Sequence, residues 1–589
     1  MQAPADFYKY RKDIFNRNLQ QYKKQLTLSG TLRLLTFTGL VLAIYFFYSN
    51  LIVLIPISVV LVALFLFLLV RHQKLVYKRD YARAMISINE TEIEALNGKY
   101  FHLPNGDSYK NPHHDYSYDI DLFGTGSFFQ YLNRTATTSG KDNLAKLLTQ
   151  YDIENIPSKQ KAIKELSLLP EWRQDFTAIA QLANVKEDKQ VVLNFIKNHK
   201  TELAKTAKLL PIIFSVLSLL IIALIIANII SAVYLIFWIF IGLGTTGVYL
   251  KKINRLYENA GNAKATFNQY YKLLNQIEQA AFSTDLLKQQ QQKIKTDSEK
   301  ASGIFRKFSK ILDAFDQRNN LIIGLIGNAL FLRDLHQANR VEKWIKKYGQ
   351  NAAAWFRVIA FFDAYNSMAN FTYNHPDYVF PGITTGENII QSKQFGHPLL
   401  PEANRINNDF TITSDSFFII TGANMAGKST FLRTVSLAIV MANLGLPVCA
   451  EKFTYKPIKL ITSMRTSDSL TDNESYFFAE LKRLKFIVKS IEKDNYFIVL
   501  DEILKGTNST DKALGSMKFV KRLISTHSSG IIATHDLSLC EISAAHPEVE
   551  NYYFDAEIID DELHFDYRLK KGVCKNMNAS FLLKKMEIV

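Results

Sequence analysis

The chain is poor in cysteine: Cys449, Cys540 and Cys574 are the three thiols in 589 residues. They are widely spaced and need form no disulfide, which excludes a disulfide-stapled scaffold. No His/Cys grouping has metal-ligand spacing, and His113-His114 reads as a loop pair. Charge is missing in two places. Residues 34–70 carry no Asp, Glu, Lys or Arg, and neither do residues 209–250. Each run is long enough for two spans, at roughly 20 apolar residues per crossing. Breaks at Ser49-Asn50 and around Asn228 to Ser231 divide them into four transmembrane helices, arranged as two tight hairpins. Buried core helices are the alternative, but core segments rarely run this long without a charge. A cleavable signal peptide is disfavoured as well, because about thirty mostly polar, basic residues precede the first apolar run and the run itself is too long.

What is present begins with positive charge. Seventy Lys and Arg against 55 Asp and Glu leave a net charge of +15, which suits an anionic partner, either nucleic acid or the inner leaflet of a membrane. Lys9, Arg11, Lys12, Arg17, Lys23, Lys24 and Arg33 precede the first hairpin, and Arg71, Lys74, Lys78 and Arg79 follow it. Lys205 and Lys208 enter the second, and Lys251, Lys252 and Arg255 leave it. By the positive-inside rule both termini are expected in the cytosol of a multi-pass protein of the cell membrane. The charge-rich run Lys293 to Lys310, with the glutamines 289–292 before it, reads as a solvated helix face rather than a dedicated nucleic-acid site.

Chemistry concentrates near the C-terminus. An apolar strand at Phe418 to Thr421 runs into Gly422-Ala-Asn-Met-Ala-Gly-Lys-Ser429, which fits the phosphate-binding loop G-x-x-x-x-G-K-[ST]. Gly422 and Gly427 allow the tight turn that points successive N–H groups at phosphate oxygens. Contacts to a nucleoside triphosphate are expected from Gly422, Asn424, Met425, Ala426, Gly427, Lys428, Ser429 and Thr430, with Lys428 reaching the β- and γ-phosphates. Ser429 is expected to ligate Mg²⁺ together with Asp501, which ends the apolar run Tyr496 to Leu500. Glu502 would then polarise the attacking water; the plainer reading is a strand end carrying two solvated acids. A third apolar run, Gly530 to Ala533, leads to His535, whose imidazole would bond the γ-phosphate or the water unless it is structural.

These residues resemble the MutS family of ATP-driven mismatch-repair proteins. The likeness is carried by Thr421 to Thr430 with its Asn-Met pair, by Asp501-Glu-Ile-Leu-Lys-Gly-Thr-Asn-Ser-Thr-Asp511, and by Ala533-Thr-His535. Asp468 to Leu481 is similar to the family's signature segment, and the resemblance implies that Ser475 reaches the γ-phosphate of a dimer partner. The segment is expected to open an amphipathic helix with Phe477, Phe478, Leu481 and Leu484 on one side; Ser475 as a plain helix cap is the alternative. Ala423 stands where the family usually has Pro, and Asn473-Glu474 and Leu504-Lys505 replace Gly-Arg pairs. Weaker similarity covers Asp121 to Thr135, Thr138 to Gly140, Ile156 to Leu166, Ile359 to Ala369, Gly396 to Leu400, Asn408-Asp409 and Gly572 to Ala579. Nothing among these residues resembles the family's mismatch-reading domain, and its C-terminal helix-turn-helix is expected to be absent or reduced.

The expected organisation is multidomain. It comprises a basic cytosolic segment (1–33), a membrane hairpin (34–70), a helical core (71–208), a second hairpin (209–250), helical core and lever (251–375) and an α/β P-loop ATPase of ABC type (376–589). The resemblance implies a homodimer with composite ATP sites, Mg²⁺ as cofactor, and ATP turnover coupled to binding of mismatched or damaged DNA. The alternative is a mechanochemical membrane ATPase for transport or remodelling, with no DNA recognition. A strict ABC transporter is disfavoured, since no Leu-Ser-Gly-Gly-Gln segment precedes Asp501.

Overall fold

A computed structural model describes residues 3–182, 195, 196, 199, 203, 205–296, 299–465, 476–559 and 562–574. The chain is mainly helical as far as Asn374, and mixed α/β beyond it. Each charge-free run is the turn end of a hairpin of longer helices. Pro4–Phe47 and Leu51–Leu96 form one antiparallel hairpin, and Lys205–Ile226 and Val233–Gln279 the other. All four are long and apolar enough to cross a membrane. Their apolar side chains point outward: Ile52, Phe67, Val216 and Phe240 are all exposed. Beyond the apolar zone the same helices become conventional core elements. Tyr8, 1% exposed, donates through its hydroxyl to Asn374 Oδ1 at 2.7 Å, fastening the start of the chain to the end of the long helix Arg333–Asn374.

That helix is the spine of the molecule. Its 42 residues span about 63 Å at 1.5 Å per residue. Trp344, Trp355, Phe356 and Phe362 pack from it against Phe267, Phe305 and Phe308 of the surrounding helices and Phe282 of a connecting loop. Asp363 is buried on the spine and accepts from the amides of Ala136 and Thr137 and the Thr137 hydroxyl, which holds the loop before helix Thr138–Thr149.

The C-terminal part contains a six-stranded sheet in the order Glu562–Lys571, Val549–Ile559, Phe417–Gly422, Ser529–Ala533, Tyr496–Asp501, Lys459–Ser463. Every pairing is parallel except that of the edge strand Glu562–Lys571. Side chains alternate across the sheet, as period-two geometry requires. Phe418, Ile420, Val499 and Ile531 face the helix Lys428–Leu444, whereas Phe417, Ile419, Leu500 and Ile532 share a core with Leu484, Ile487, Val520 and Leu523. A second sheet, ordered Gly382–Ile383, Lys452–Tyr455, Asn388–Phe395, Asn408–Thr413, covers the other side of Lys428–Leu444 through Phe410 and Phe431.

One helix face differs from the sequence reading. In Tyr476–Ile491 Leu484 is buried and Phe477 packs partly buried on the same core, as expected, but Phe478 and Leu481 are exposed and Glu480 and Ile487 face inward instead. Glu480 causes the rotation. Its carboxylate accepts from the amides of Leu504 and Lys505 at 2.5 and 3.1 Å, and so turns its own face of the helix inward.

Candidate functional site

The strand Phe417–Gly422 ends in a loop that only glycine can begin. Gly422 has φ +147°, and a Cβ there would sit 2.5 Å from Phe554 O. Gly427 has φ +104° and precedes the helix Lys428–Leu444 with no side-chain cap. The first bond of that helix runs from Phe431 N–H to Gly427 O at 2.9 Å, so the amides of Gly427 to Thr430 have no carbonyl to bond within the helix. Uncapped donors at a helix N-terminus are what a phosphate needs. Asn424, Met425, Ser429 and Thr430 are exposed here, while Ala426 and Lys428 are buried.

Three parallel strands bring their C-terminal ends together at this loop. Lys428 Nζ lies 2.8 Å from Gly422 O, 2.9 Å from Ala423 O and 3.4 Å from His535 Nε2. Burial lowers its pKa, opposed by the charges of Glu502 and Asp501. Ser429 Oγ donates to Asp501 Oδ2 at 2.6 Å. His535 Nε2 approaches Glu502 Oε1 at 2.7 Å, and this hydrogen bond holds the Glu502 carboxyl down at about 2 despite partial burial. Glu502 and Leu504 both have positive φ, +49° and +60°, and Glu502 N–H is bonded to Ala533 O at 2.9 Å. Non-glycine residues in the left-handed region cost free energy and concentrate at functional sites. A hydroxyl and a carboxylate on one spot form a hard-oxygen pair suited to Mg²⁺, which keeps waters and substrate oxygens as its other ligands.

Lys428, Ser429, Asp501, Glu502 and His535, read from three separate stretches of sequence, thus meet in one cluster. Ser475 lies outside the described residues. Sequence reasoning named no wall for the rest of the site. A cavity of about 530 Å³ opens beside the loop, lined on its outer side by Phe395, His397, Ile406, Phe554 and Tyr567. This is within the usual range of small-molecule sites, roughly 300–1,000 Å³. Burial pushes His397 down to about 4, so it lines the cavity as neutral imidazole. Tyr567 has φ +52° at an irregularity in the edge strand, and its ring lies against Gly427. The similarity already noted at Gly396 to Leu400 was a usable signal; Tyr567, about 140 residues downstream of the loop, offered none.

A second cluster ties this head to the helical region. Asp119 accepts from the Thr462 hydroxyl and from Arg465 N–H, the latter at 3.0 Å. Asp121 receives both arms of the Arg465 guanidinium, at 2.5 and 2.7 Å, and pairs with Arg433 of the loop-bearing helix at 3.3 Å. Arg483 donates to the carbonyls of His114, Asp115 and Thr462.

Comparison with known proteins points the same way. Residues 418–585 match the family model of MutS domain V. The chain is 34% identical over 214 residues to human MutS protein homolog 4, covering 34% of this chain and 22% of that protein. It is 31% identical over 225 residues to the DNA mismatch repair protein MutS of Finegoldia magna, covering 36% of this chain and 26% of the relative. With the MutS of Sorangium cellulosum it shares 27% identity over 242 residues, 40% of this chain and 26% of the relative. The matches span about a quarter of the length of these curated relatives.

Proposed function

We propose that the chain, whose C-terminal domain matches MutS domain V, is a MutS-family protein that binds and hydrolyses ATP at the cluster around Lys428, and that this turnover is coupled to DNA from a membrane-anchored position. The observation that carries the reading is the meeting of Lys428, the Ser429–Asp501 pair and the Glu502–His535 pair beside one cavity, which Lys428, Ser429 and Glu502 line. The uncapped amides of the loop and the Lys428 ammonium hold the phosphates and offset their charge. Ser429 and Asp501 hold the Mg²⁺, which when bound supplies further charge neutralisation at the phosphate oxygens. Glu502, ionised throughout the physiological range, orients and polarises water, and His535 fixes its carboxylate. DNA coupling is supported by the relatives, two of which are DNA mismatch repair proteins by name, and by the basic balance of the chain.

A second reading, a mechanochemical ATPase acting on the membrane itself, is favoured by one observation: the spine Arg333–Asn374 begins beside the second apolar hairpin, where Asn339 Nδ2 donates to Ala207 O at 2.8 Å, and farther along it meets the head, where Tyr365 and Met368 line a cavity together with Val440 and Leu444. Two measurements on detergent-purified protein test these readings. Lys428→Ala is expected to lose nucleotide binding, and Glu502→Gln to keep binding while hydrolysis stalls. Equal loss of binding in both variants would remove Glu502 from the catalytic role. DNA binding is then titrated with salt, with and without ATP. ATP-dependent binding that survives near-physiological salt supports the first reading. Binding that collapses steeply with salt regardless of ATP is generic attraction and leaves the second.

A further inference from the structure

Between the second apolar hairpin and the spine lies an 11-residue helix, Leu321–Phe331, whose burial is inverted relative to a helix of a soluble protein. Its protein-facing positions are Gly324, Gly327, Asn328 and Ala329, while Leu321 (83%), Ile322 (67%), Leu325 (55%) and Ile326 (51%) are exposed. The segment carries no charged residue. It packs on the hairpin itself: a Cβ on Gly242 would lie 2.2 Å from Ala329 O, and Ser218 Oγ donates to Leu330 O at 2.6 Å. Ser218 also accepts from Trp238 Nε1 at 2.7 Å. Gly242 and Ser218 are both inside the charge-free run 209–250.

The opposite end sits higher. Arg318, just before the helix, donates to Asn254 Oδ1 at 2.8 Å, beyond that run, and pairs with Asp334 at 3.1 Å. Asn254 and Gly242 are separated by roughly 18 Å along their helix, at 1.5 Å per residue. This is about the length of Leu321–Phe331 itself. The chain then reverses at Leu332, φ +46°, straight into the spine.

We propose that Leu321–Phe331 is a re-entrant membrane helix: it dips into the acyl region beside the second hairpin, presents its large apolar face to lipid, and is the foot on which the spine stands. The proposal rests on the reading that the hairpins are membrane spans. Eleven residues are too few to cross a bilayer, which takes about 20. A helix that ends inside lipid must have its last carbonyls satisfied by protein, and here the Ser218 hydroxyl serves Leu330 O. Arg318 flanks its upper end, and Arg333 at its lower end reaches back up to Ala314 O at 2.8 Å and Gln317 Oε1 at 2.6 Å, as a basic side chain leaving lipid does. Lipid is favoured over a partner protein because the exposed face continues that of the hairpin, through Val216, Leu219 and Leu220.

The test is nitroxide labelling of single cysteines in the full chain reconstituted in phosphatidylcholine vesicles; Cys449, Cys540 and Cys574 are buried and compete little. Collision with oxygen, which concentrates in lipid, is compared with collision with a water-soluble nickel chelate. Leu325→Cys is expected to match Leu219→Cys on the hairpin, with an oxygen-to-nickel ratio several-fold above that of Lys288→Cys in the helical core. Water accessibility at Leu325→Cys with lipid accessibility at Leu219→Cys overturns the re-entrant helix alone, and protection from both reagents at Leu325→Cys overturns it in favour of a protein partner. Water accessibility at Leu219→Cys overturns the membrane reading beneath it. Ile322→Cys on the same face repeats the measurement if Leu325→Cys does not fold.

Discussion

Asp363 accepts hydrogen bonds from Ala136 N–H, Thr137 N–H and the Thr137 hydroxyl, yet burial still pushes its carboxyl up to about 6. A folded-state pKa above the ordinary carboxylate value means that protonation favours the folded form. The contribution is fully present below the unfolded pKa and is lost as pH rises to about 6, a change on the order of 3 kcal/mol. Thermal unfolding in detergent is therefore expected to show a stability component that falls between pH 4 and 6 and is flat above, and Asp363→Asn is expected to lack it. An unchanged pH slope in the variant would place the titration elsewhere. Glu502 behaves oppositely. Its depressed pKa, about 2, gives stability that is present above the ordinary Glu value and lost only as pH falls toward 2. No acidic limb of ATP hydrolysis near neutrality is expected from it. The loop residues and Glu502 were legible because each sits within a few residues of its own strand end. Glu480 was not, since its partners Leu504 and Lys505 are 24 and 25 residues away.

At the scale of elements, the junction between head and helical region depends on three arginines of unequal weight. The Arg465–Asp121 pair is exposed on both sides, 40% and 44%, and pairs of that kind contribute about 0–1 kcal/mol. Arg483 is more deeply placed, and its donors go to backbone carbonyls of both regions. Arg483→Ala is expected to destabilise by about 2 kcal/mol, since the carbonyls of Thr462 and His114 lose their Arg483 donor while Asp115 O keeps the Thr462 amide, and Arg465→Ala stays within about 1 kcal/mol. Chemical denaturation of the two variants checks the ranking, and equal effects would mean that the junction is held by something other than Arg483. The same scale explains why Phe478 and Leu481 lie outside the expected face. Phe477, Phe478, Leu481 and Leu484 satisfy helical periodicity, but periodicity alone cannot reveal that a carboxylate at Glu480 has amides to cap across the fold.

For the whole molecule, predictions concern topology and assembly. Single cysteines near Asn50 and at Asn228 to Ser231 are expected to react in intact cells with a reagent that cannot cross membranes, and cysteines replacing Glu90 or Lys264 to stay protected. Labelling at either protected position would overturn the arrangement with both ends inside. Ser475 is expected to complete the site of a partner. Ser475→Ala subunits mixed with Lys428→Ala subunits would form dimers with one intact composite site, so ATPase activity is expected to return on mixing. Exchange of subunits without recovery would leave Ser475 as a helix cap.

The glycine-framed loop, the acidic strand end and the charge-free runs are properties of the sequence alone, because each depends on local spacing: backbone curvature at Gly422 and Gly427, a carboxylate pair after an apolar strand, and the length of chain without charge. The strand order that sets Phe417–Gly422 between Val549–Ile559 and Ser529–Ala533, the aromatic wall that includes Tyr567, and the inverted burial of Leu321–Phe331 were decided by tertiary structure. Each of these joins residues far apart in the chain. An exposed Leu or Ile looks the same in sequence as a buried one until the small residues beside it, Gly324 and Gly327, are seen to face the protein.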